Sequence, residues 1–258
     1  MDSSVLAQVI AAVKEAGRLL TDPNTVAEIR AKSVTDYVTN VDVAVQTQLK
    51  AKLAALTPDV QFMGEEQDNA GLDPHGAIWI LDPVDGTTNL IHNFHFSAIS
   101  LALYQGGQVV FGVVYHPYSD SCFTATRGGG SFLNGQPISV SNAAQLSQCL
   151  ASVGTVPGRR DLGETAFRQL WTLYNACQDV RRMGCASLDL SFVACGRQDL
   201  YVEPALKPWD YAAGLLLVEE AGGKVTQPDG SPVTLLEGCG VLASNGHVHQ
   251  QALEALQL

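Results

Sequence analysis

Apolar positions in the first twenty residues fall at Leu6, Val9, Ile10, Val13, Gly17 and Leu20, the spacing of one helical face. A second such face runs through Val45, Leu49, Leu53 and Leu56 and stops at Thr57-Pro58. The period then changes. The stretches "VQFMGEE" and "AIWILDP" read as short strands. From Ser97 to Val140 apolar runs alternate with the turn signals "YQGGQ", "YHPYSD", "RGGGS" and "LNGQ", which predicts a series of antiparallel hairpins. Beyond that the pattern alternates. "ETAFRQLWTLYNAC" is helical, "SLDLSFVACG" is a short helix with a terminal glycine, and "DLYVE" is a strand. "YAAGLLLVEEAGG" is a helix capped by glycines, and strands around "GKVTQ" and "GVLAS" precede a last helix from about Gly246. The change of character at "SNAAQLSQ" predicts two halves, residues 1–141 and 142–258.

Composition narrows the function classes. Lys and Arg number 15 against 26 Asp and Glu, a formal net charge of -11, so a nucleic-acid backbone would be repelled and is not expected as a primary ligand. The N-terminal pattern is an amphipathic helix and not an unbroken signal core, and no apolar run is long enough to span a membrane. The six cysteines form no C-x-x-C pair and sit mostly inside apolar runs, as expected of free thiols in a reducing compartment; a cytoplasmic location follows as the expectation.

The acidic residues are placed unevenly. Glu65 and Glu66 follow one predicted strand, Asp82 and Asp85 follow another, and Asp210 opens a helix in "KPWDYAAG". Strand ends and helix starts are where ligand sites gather in mixed α and β folds. Several carboxylates brought together must be neutralised, and neither "GEE" nor "DPVDGTT" contains a lysine or arginine. A bound cation is the expected neutraliser. With oxygen donors only, it should be hard: Mg²⁺ before Ca²⁺ or Mn²⁺, and not Zn²⁺. Gly86, Thr87 and Thr88 then supply close backbone approach and free amides at a helix start, as a phosphate requires. Taken singly, each piece is ordinary: Asp42 and Asp210 read as helix caps, "DPVDG" as a turn, and Glu65-Glu66 as a solvated loop. Their conjunction points to phosphate-ester cleavage.

The motifs "GEE" (64–66), "WILDPVDGTTN" (79–89) and "KPWDYAAGLLLVEEAGG" (207–223) resemble those of the inositol monophosphatase family of lithium-sensitive, Mg²⁺-dependent phosphatases. The resemblance extends to "KSVTDYVTNVD" (32–42), "GGGSFLNGQPI" (128–138) and "RRMGCASLDLSFVACGRQDLYVE" (181–203), and so to nearly the whole chain. It implies a layered αβαβα sandwich of mixed α+β and α/β character, a homodimer, and two or three Mg²⁺ ions. By position it implies that Glu65, Asp82, Asp85, Asp210 and the carbonyl of Val84 are metal ligands. Asp42 and Thr87 would orient and deprotonate the attacking water, with Glu65 sharing in catalysis, and the amides of Gly86, Thr87 and Thr88 would hold the phosphate. Glu203 and Ala186 fall at substrate contacts, Glu203 at a position used for ring hydroxyls by members selective for inositol phosphate. The implied reaction is direct attack by metal-activated water on a small phosphate ester such as inositol 1-phosphate.

Rival substrates within the superfamily are fructose 1,6-bisphosphate, histidinol phosphate and adenosine 3',5'-bisphosphate. A haloacid-dehalogenase mechanism would need D-x-D-G-T near the N-terminus, whereas the spacing here is D-x-x-D-G-T. A transcription-associated binding protein that kept the fold is the alternative from another class. His92 and His95 are expected to line a loop beside the site, "RGGGS" to be a hairpin turn, and Arg159-Arg160 and Arg181-Arg182 to be surface pairs, either of which could face an anion.

Overall fold

The computed structural model describes residues 2–22, 29–31 and 37–257. The motif at 32–42 is therefore covered only from Tyr37 onward, residues 32–36 lying outside the described part. Helices α1 (Ser3–Ala16) and α2 (Arg18–Thr21) are followed by the short antiparallel strands β1 (Ile29–Ala31) and β2 (Tyr37–Thr39) and by helix α3 (Asn40–Leu56). Strands β3 (Gln61–Gly64) and β4 (Ile78–Asp85) lead into the short helix α4 (Thr87–Ile91). The hairpins come next: β5 (Ala98–Gln105), β6 (Gln108–His116), β7 (Ser121–Thr126), β8 (Gly130–Leu133) and β9 (Gln136–Ile138). The rest comprises β10 (Leu150–Val153), α5 (Gly163–Ala176), β11 (Asp179–Arg181), α6 (Ala186–Ala194) and β12 (Leu200–Leu206). Helix α7 (Pro208–Glu220), β13 (Lys224–Thr226), β14 (Cys239–Ser244) and α8 (His249–Leu256) complete the described fold.

The strands form a seven-stranded sheet in the order β3 to β9 and a five-stranded sheet in the order β11-β10-β12-β14-β13. Alternation along β4 and β5 decides what each face of the larger sheet meets. Trp79, Leu81, Ile99, Leu101 and Leu103 pack against α1 and α3, while Ile78, Ile80, Ala98, Ala102 and Tyr104 pack toward α6 and α7. The second sheet repeats the pattern. Tyr201, Val241 and Ala243 face α6 and α7, and Ala151, Val153, Leu200 and Leu242 share a core with Leu173 of α5 and Leu253 of α8. Helices and sheets thus alternate in five layers, the αβαβα sandwich.

Helix α7 is buried along most of its length because it lies between the two sheets. Small residues allow this. A Cβ on Gly112 of β6 would meet the Ala213 carbonyl oxygen at 3.0 Å, and one on Gly214 would meet the Leu190 side chain of α6 at 2.6 Å. The far end of α7 is also fixed: the amides of Gly128 and Gly130 donate to the Glu220 carboxylate at 2.9 and 3.0 Å, and Arg127 pairs with Glu219 at 2.6 Å. The "RGGGS" turn is the predicted hairpin between β7 and β8, and the anion its amides hold is the chain's own glutamate.

His249, at the start of α8, is 2% exposed and sits between Thr226 Oγ1 and Ser244 Oγ, each at 2.9 Å from a ring nitrogen. Burial, and then the charge of Lys224, lowers its pKa to about 4. The unfolded chain takes up a proton near pH 6.5 that the folded protein refuses, so stability present above that pH is lost as pH falls toward 4. At pH 5 the loss should be about 2 kcal/mol. Urea midpoints at pH 7 and pH 5 are expected to show it as the part of the pH dependence that disappears in His249→Gln.

Candidate active site

Two carboxylates three apart on a regular strand would point to opposite faces. Strand β4 avoids this with a bulge: Asp82 pairs with Ser100 but Asp85 with Ala98, so three steps on β4 match two on β5. Pro83, which has no N–H for the ladder, occupies the irregular stretch. The extra residue restores the parity of Asp82 and Asp85. Strand β3 runs parallel to β4 with Gly64 opposite Leu81, and Glu65 continues the pairing through its amide to the Leu81 carbonyl at 3.3 Å. Glu65 therefore arrives beside Asp82.

Asp210 comes from the other direction, in the first turn of α7, where it accepts the Lys207 amide at 2.6 Å. Asp42 occupies the matching place in α3. The amide and hydroxyl of Thr39 donate to its Oδ2 at 2.9 and 2.5 Å, and the Thr87 hydroxyl approaches its Oδ1 at 3.2 Å. Neither aspartate is the N-cap itself: each stands at the third helical position and accepts the backbone amide of the N-cap, Thr39 or Lys207, and both also face the acidic cluster. Asp85 is tied to α6 by the Ser187 amide at 2.6 Å and the Cys185 thiol at 3.2 Å.

The electrostatics follow from burial and from the crowding of like charges. Asp82, 2% exposed, is held well above the ordinary carboxylate range first by desolvation and then by the charges of Glu65, Asp85, Asp210 and Asp42. Asp210 is raised likewise by burial and by Asp85, against the pull of the Lys207 amide. Burial also raises Asp85 and Asp42, with their hydrogen bonds opposing it. Among the described residues no lysine or arginine forms an ion pair with Asp82, Asp85 or Asp210. Among the same residues no three Asp, Glu, His or Cys side chains are already drawn in around one point as a closed ligand shell. The donor set nevertheless fits a hard divalent cation. It is all oxygen, it is multiply anionic, and each of Asp82, Asp85 and Asp210 is oriented by a backbone N–H.

The turn after β4 is equally constrained. Gly86 has φ +87°, and a Cβ there would meet the carbonyl oxygens of Phe96 and Gly184 at 3.0 and 3.2 Å. Only glycine suits both the conformation and the space. Ser97 Oγ donates to the Gly86 carbonyl at 2.8 Å, and the Asn89 amide donates to the carbonyls of Phe96 and Met183 at 2.8 and 2.9 Å. Asn89 thereby ties the "DGTTN" turn to the loop before α6, a role invisible in the motif itself. The Thr87 hydroxyl donates to the Val84 carbonyl at 2.9 Å, so Thr87 joins Asp42 to the bulged segment.

A cavity of about 260 Å³ opens over these groups, and Asp85, Gly86, Thr87, Thr88, Glu203 and Asp210 are on its wall. Ala186 lines it too, while Asp42, Glu65, Asp82 and Val84 lie outside that wall. Asp42 and Val84 reach the wall through the Thr87 hydroxyl, and Asp82 lies within charge range of Glu65, Asp85, Asp210 and Asp42, so the residues off the wall adjoin it without lining the cavity. The wall also includes Arg182, Asp189 and Gly154, none of which was singled out from sequence as part of the site. Arg182 is an exposed arginine, as the sequence suggested, and it is the member of its pair placed to face an anion: its guanidinium is held by Thr155 Oγ1 at 2.9 and 3.1 Å and lines the cavity, while Arg181 pairs with Asp179 at 2.5 Å. His95 stacks on Tyr118 with ring centroids 4.8 Å apart and, like His92, is absent from the cavity wall.

Comparison with known proteins agrees in sequence and in fold. The chain matches the inositol monophosphatase family over residues 1–258. It is 37% identical over 259 residues to an inositol-1-monophosphatase of Rhizobium meliloti, covering 99% of this chain and 97% of that protein. It is 36% identical over 243 residues to the Nus factor SuhB of Escherichia coli, covering 93% and 90%. A solved IMPase/NADP phosphatase complexed with Mg²⁺ and phosphate superimposes with a TM-score of 0.88 at 27% identity, covering 98% of this chain and 94% of that one.

Proposed function

The chain belongs to the inositol monophosphatase family and is a phosphatase, and from that premise we propose that it hydrolyses inositol 1-phosphate, or a similar small polyol phosphate, with Mg²⁺ in the cavity between α4, α6 and α7. The observation that carries the reading is the meeting of Asp82 and Asp85, buried on β4, with the half-buried Asp210 of α7 and with Glu65 beside the glycine-opened turn at Gly86. Glu65, Asp82, Asp85, Asp210 and the Val84 carbonyl would hold two or three ions. Bound there, Mg²⁺ supplies Lewis acidity toward water and toward the ester's leaving oxygen.

The residues of the chain do the rest. The amides of Gly86, Thr87 and Thr88 hold the phosphate by donating to its oxygens. Thr87 orients the attacking water through its hydroxyl, which takes up the water's proton as it turns its own from the Val84 carbonyl to Asp42. Ala186 and Glu203 border the leaving alcohol. A homodimer accompanies this reading, to be tested by sedimentation equilibrium.

Phosphate release is expected to stop in excess chelator and to return with Mg²⁺, and Mg²⁺ should raise the melting temperature. An ion that binds only the folded state stabilises it by about 2.7 kcal/mol at a hundred times its Kd. Full turnover in excess chelator would overturn the metal assignment. A panel of inositol 1-phosphate, fructose 1,6-bisphosphate, histidinol phosphate and adenosine 3',5'-bisphosphate decides the substrate. The relatives named Nus factor SuhB favour a second, compatible reading, a transcription-associated partner, which a pull-down with Asp210→Asn would separate from catalysis.

A further inference from the structure

Asp189 is a buried carboxyl that neither the fold nor the proposed chemistry uses. It stands in the first turn of α6, is 2% exposed, and is on the cavity wall. Its Oδ1 lies 3.5 Å from the side-chain nitrogen of Gln198, the outer limit of a hydrogen bond. Ser152 is its other polar neighbour, but that hydroxyl directs its single proton to Gln198 Oε1 at 2.8 Å. A carboxyl has about four acceptor sites, so most of the hydrogen-bonding capacity of Asp189 stays open toward the cavity it lines.

Glu203 offers the contrast. The Tyr201 hydroxyl and the Val156 amide, the latter at 3.0 Å, both donate to its carboxylate. A Cβ on Gly154 would collide with that carboxyl, so Glu203 is pinned against the backbone beyond β10. Asp189 and Glu203 line the same cavity and feel each other's charge. They come from α6 and β12, so their spacing is set by how α6 packs on the five-stranded sheet.

We infer that Asp189 is a substrate-contacting residue that sets specificity, gripping with Glu203 two hydroxyls of a neutral polyol leaving group. The inference rests on the phosphatase reading of this cavity. Each carboxyl keeps acceptor capacity for a hydroxyl: Asp189 has one long bond at 3.5 Å, and Glu203 accepts only from Tyr201 and the Val156 amide. A second anionic group on the alcohol would face two acids.

The test uses the whole protein, with inositol 1-phosphate, its monodeoxy analogues, and phenyl phosphate as an ester without hydroxyls. In the wild type, one or two deoxy analogues should lose about tenfold in kcat/KM, the worth of a hydrogen bond to a polar buried group. Asp189→Leu should lose a similar factor on inositol 1-phosphate, mostly in KM, and become indifferent to one of those deletions, while phenyl phosphate turnover hardly changes. Asp189→Asn, which keeps an acceptor for Gln198, should recover part of the loss. If Asp189→Leu fails to fold, Asp189→Asn and the wild-type deoxy series decide. Equal losses on both esters would reduce Asp189 to a structural residue, and a wild type indifferent to every deletion would overturn the grip while leaving the phosphatase intact. A wild type that hydrolyses no ester, phenyl phosphate included, would remove the reading of the cavity and this inference with it.

Discussion

Asp210→Asn and Asp85→Asn are each expected to lower phosphate release by about 10²-fold or more while leaving the fold in place. Asparagine keeps the shape of each side chain and an oxygen to accept the Lys207 or Ser187 amide, so the anchoring bonds at 2.6 Å survive. What is lost is one negative charge from a set in which, among the described residues, Asp82, Asp85 and Asp210 have no ion pair with a lysine or arginine. The sign for stability is opposite to that for activity. Asp210 and Asp85 hold their protons more tightly when folded than when unfolded. The metal-free protein therefore loses stability as pH rises through the ordinary carboxylate range toward the raised folded values. Each asparagine variant should show a flatter dependence and, at neutral pH without metal, equal or greater resistance to urea. Measuring kcat alongside urea midpoints at pH 5 and 7 checks both halves. Variants that unfold, or that keep most of their turnover, would return these aspartates to the role of helix cap and strand anchor.

Thr87→Ala should lower kcat by about 10²-fold on every phosphate ester, with KM little altered, because positioned proton transfer is worth about that much. The hydroxyl is held between the Val84 carbonyl at 2.9 Å and Asp42 at 3.2 Å, and alanine removes the group without disturbing Gly86 or α4. Thr87→Ser should restore most of the rate, since the hydroxyl and both partners remain. A loss confined to one substrate, or a serine variant as slow as alanine, would exclude Thr87 from orienting the attacking water.

Local pattern made much of this molecule legible. Helices α1, α3 and α5 lie where periodicity indicates, because each buries one face against a single layer; α7 and the hairpins from β5 to β9 were marked instead by the turn residues and glycines that bound them. The acidic cluster was legible for a related reason: its members end strands or begin helices. Four short strands were not. Residues 29–31, 37–39, 150–153 and 179–181 are too brief for a period, and their pairing is decided by partners elsewhere in the chain. The same reason hid Arg182, Gly154 and Asn89. Nothing in "RRMGC" distinguishes the arginine that pairs with Asp179 from the one that reaches Thr155 and the cavity. Asp189 was hidden by its setting: within "SLDLSF" it reads as the polar position of a short helix, and only the packing of α6 turns it inward.

Helix α7 begins at the acidic cluster and ends in the grip of the β7–β8 turn, 13 residues later. At about 1.5 Å per residue it is a bar roughly 20 Å long, clamped at both ends and pressed between two sheets. One residue added or removed anywhere along it would swing one end by about 100° relative to the other. Either Asp210 would leave its cluster or Glu220 would leave its amides. The length of this segment is thereby as constrained as the identity of its aspartate, and a distant hairpin acts as the gauge that sets the angle of a carboxylate at the opposite end of the bar.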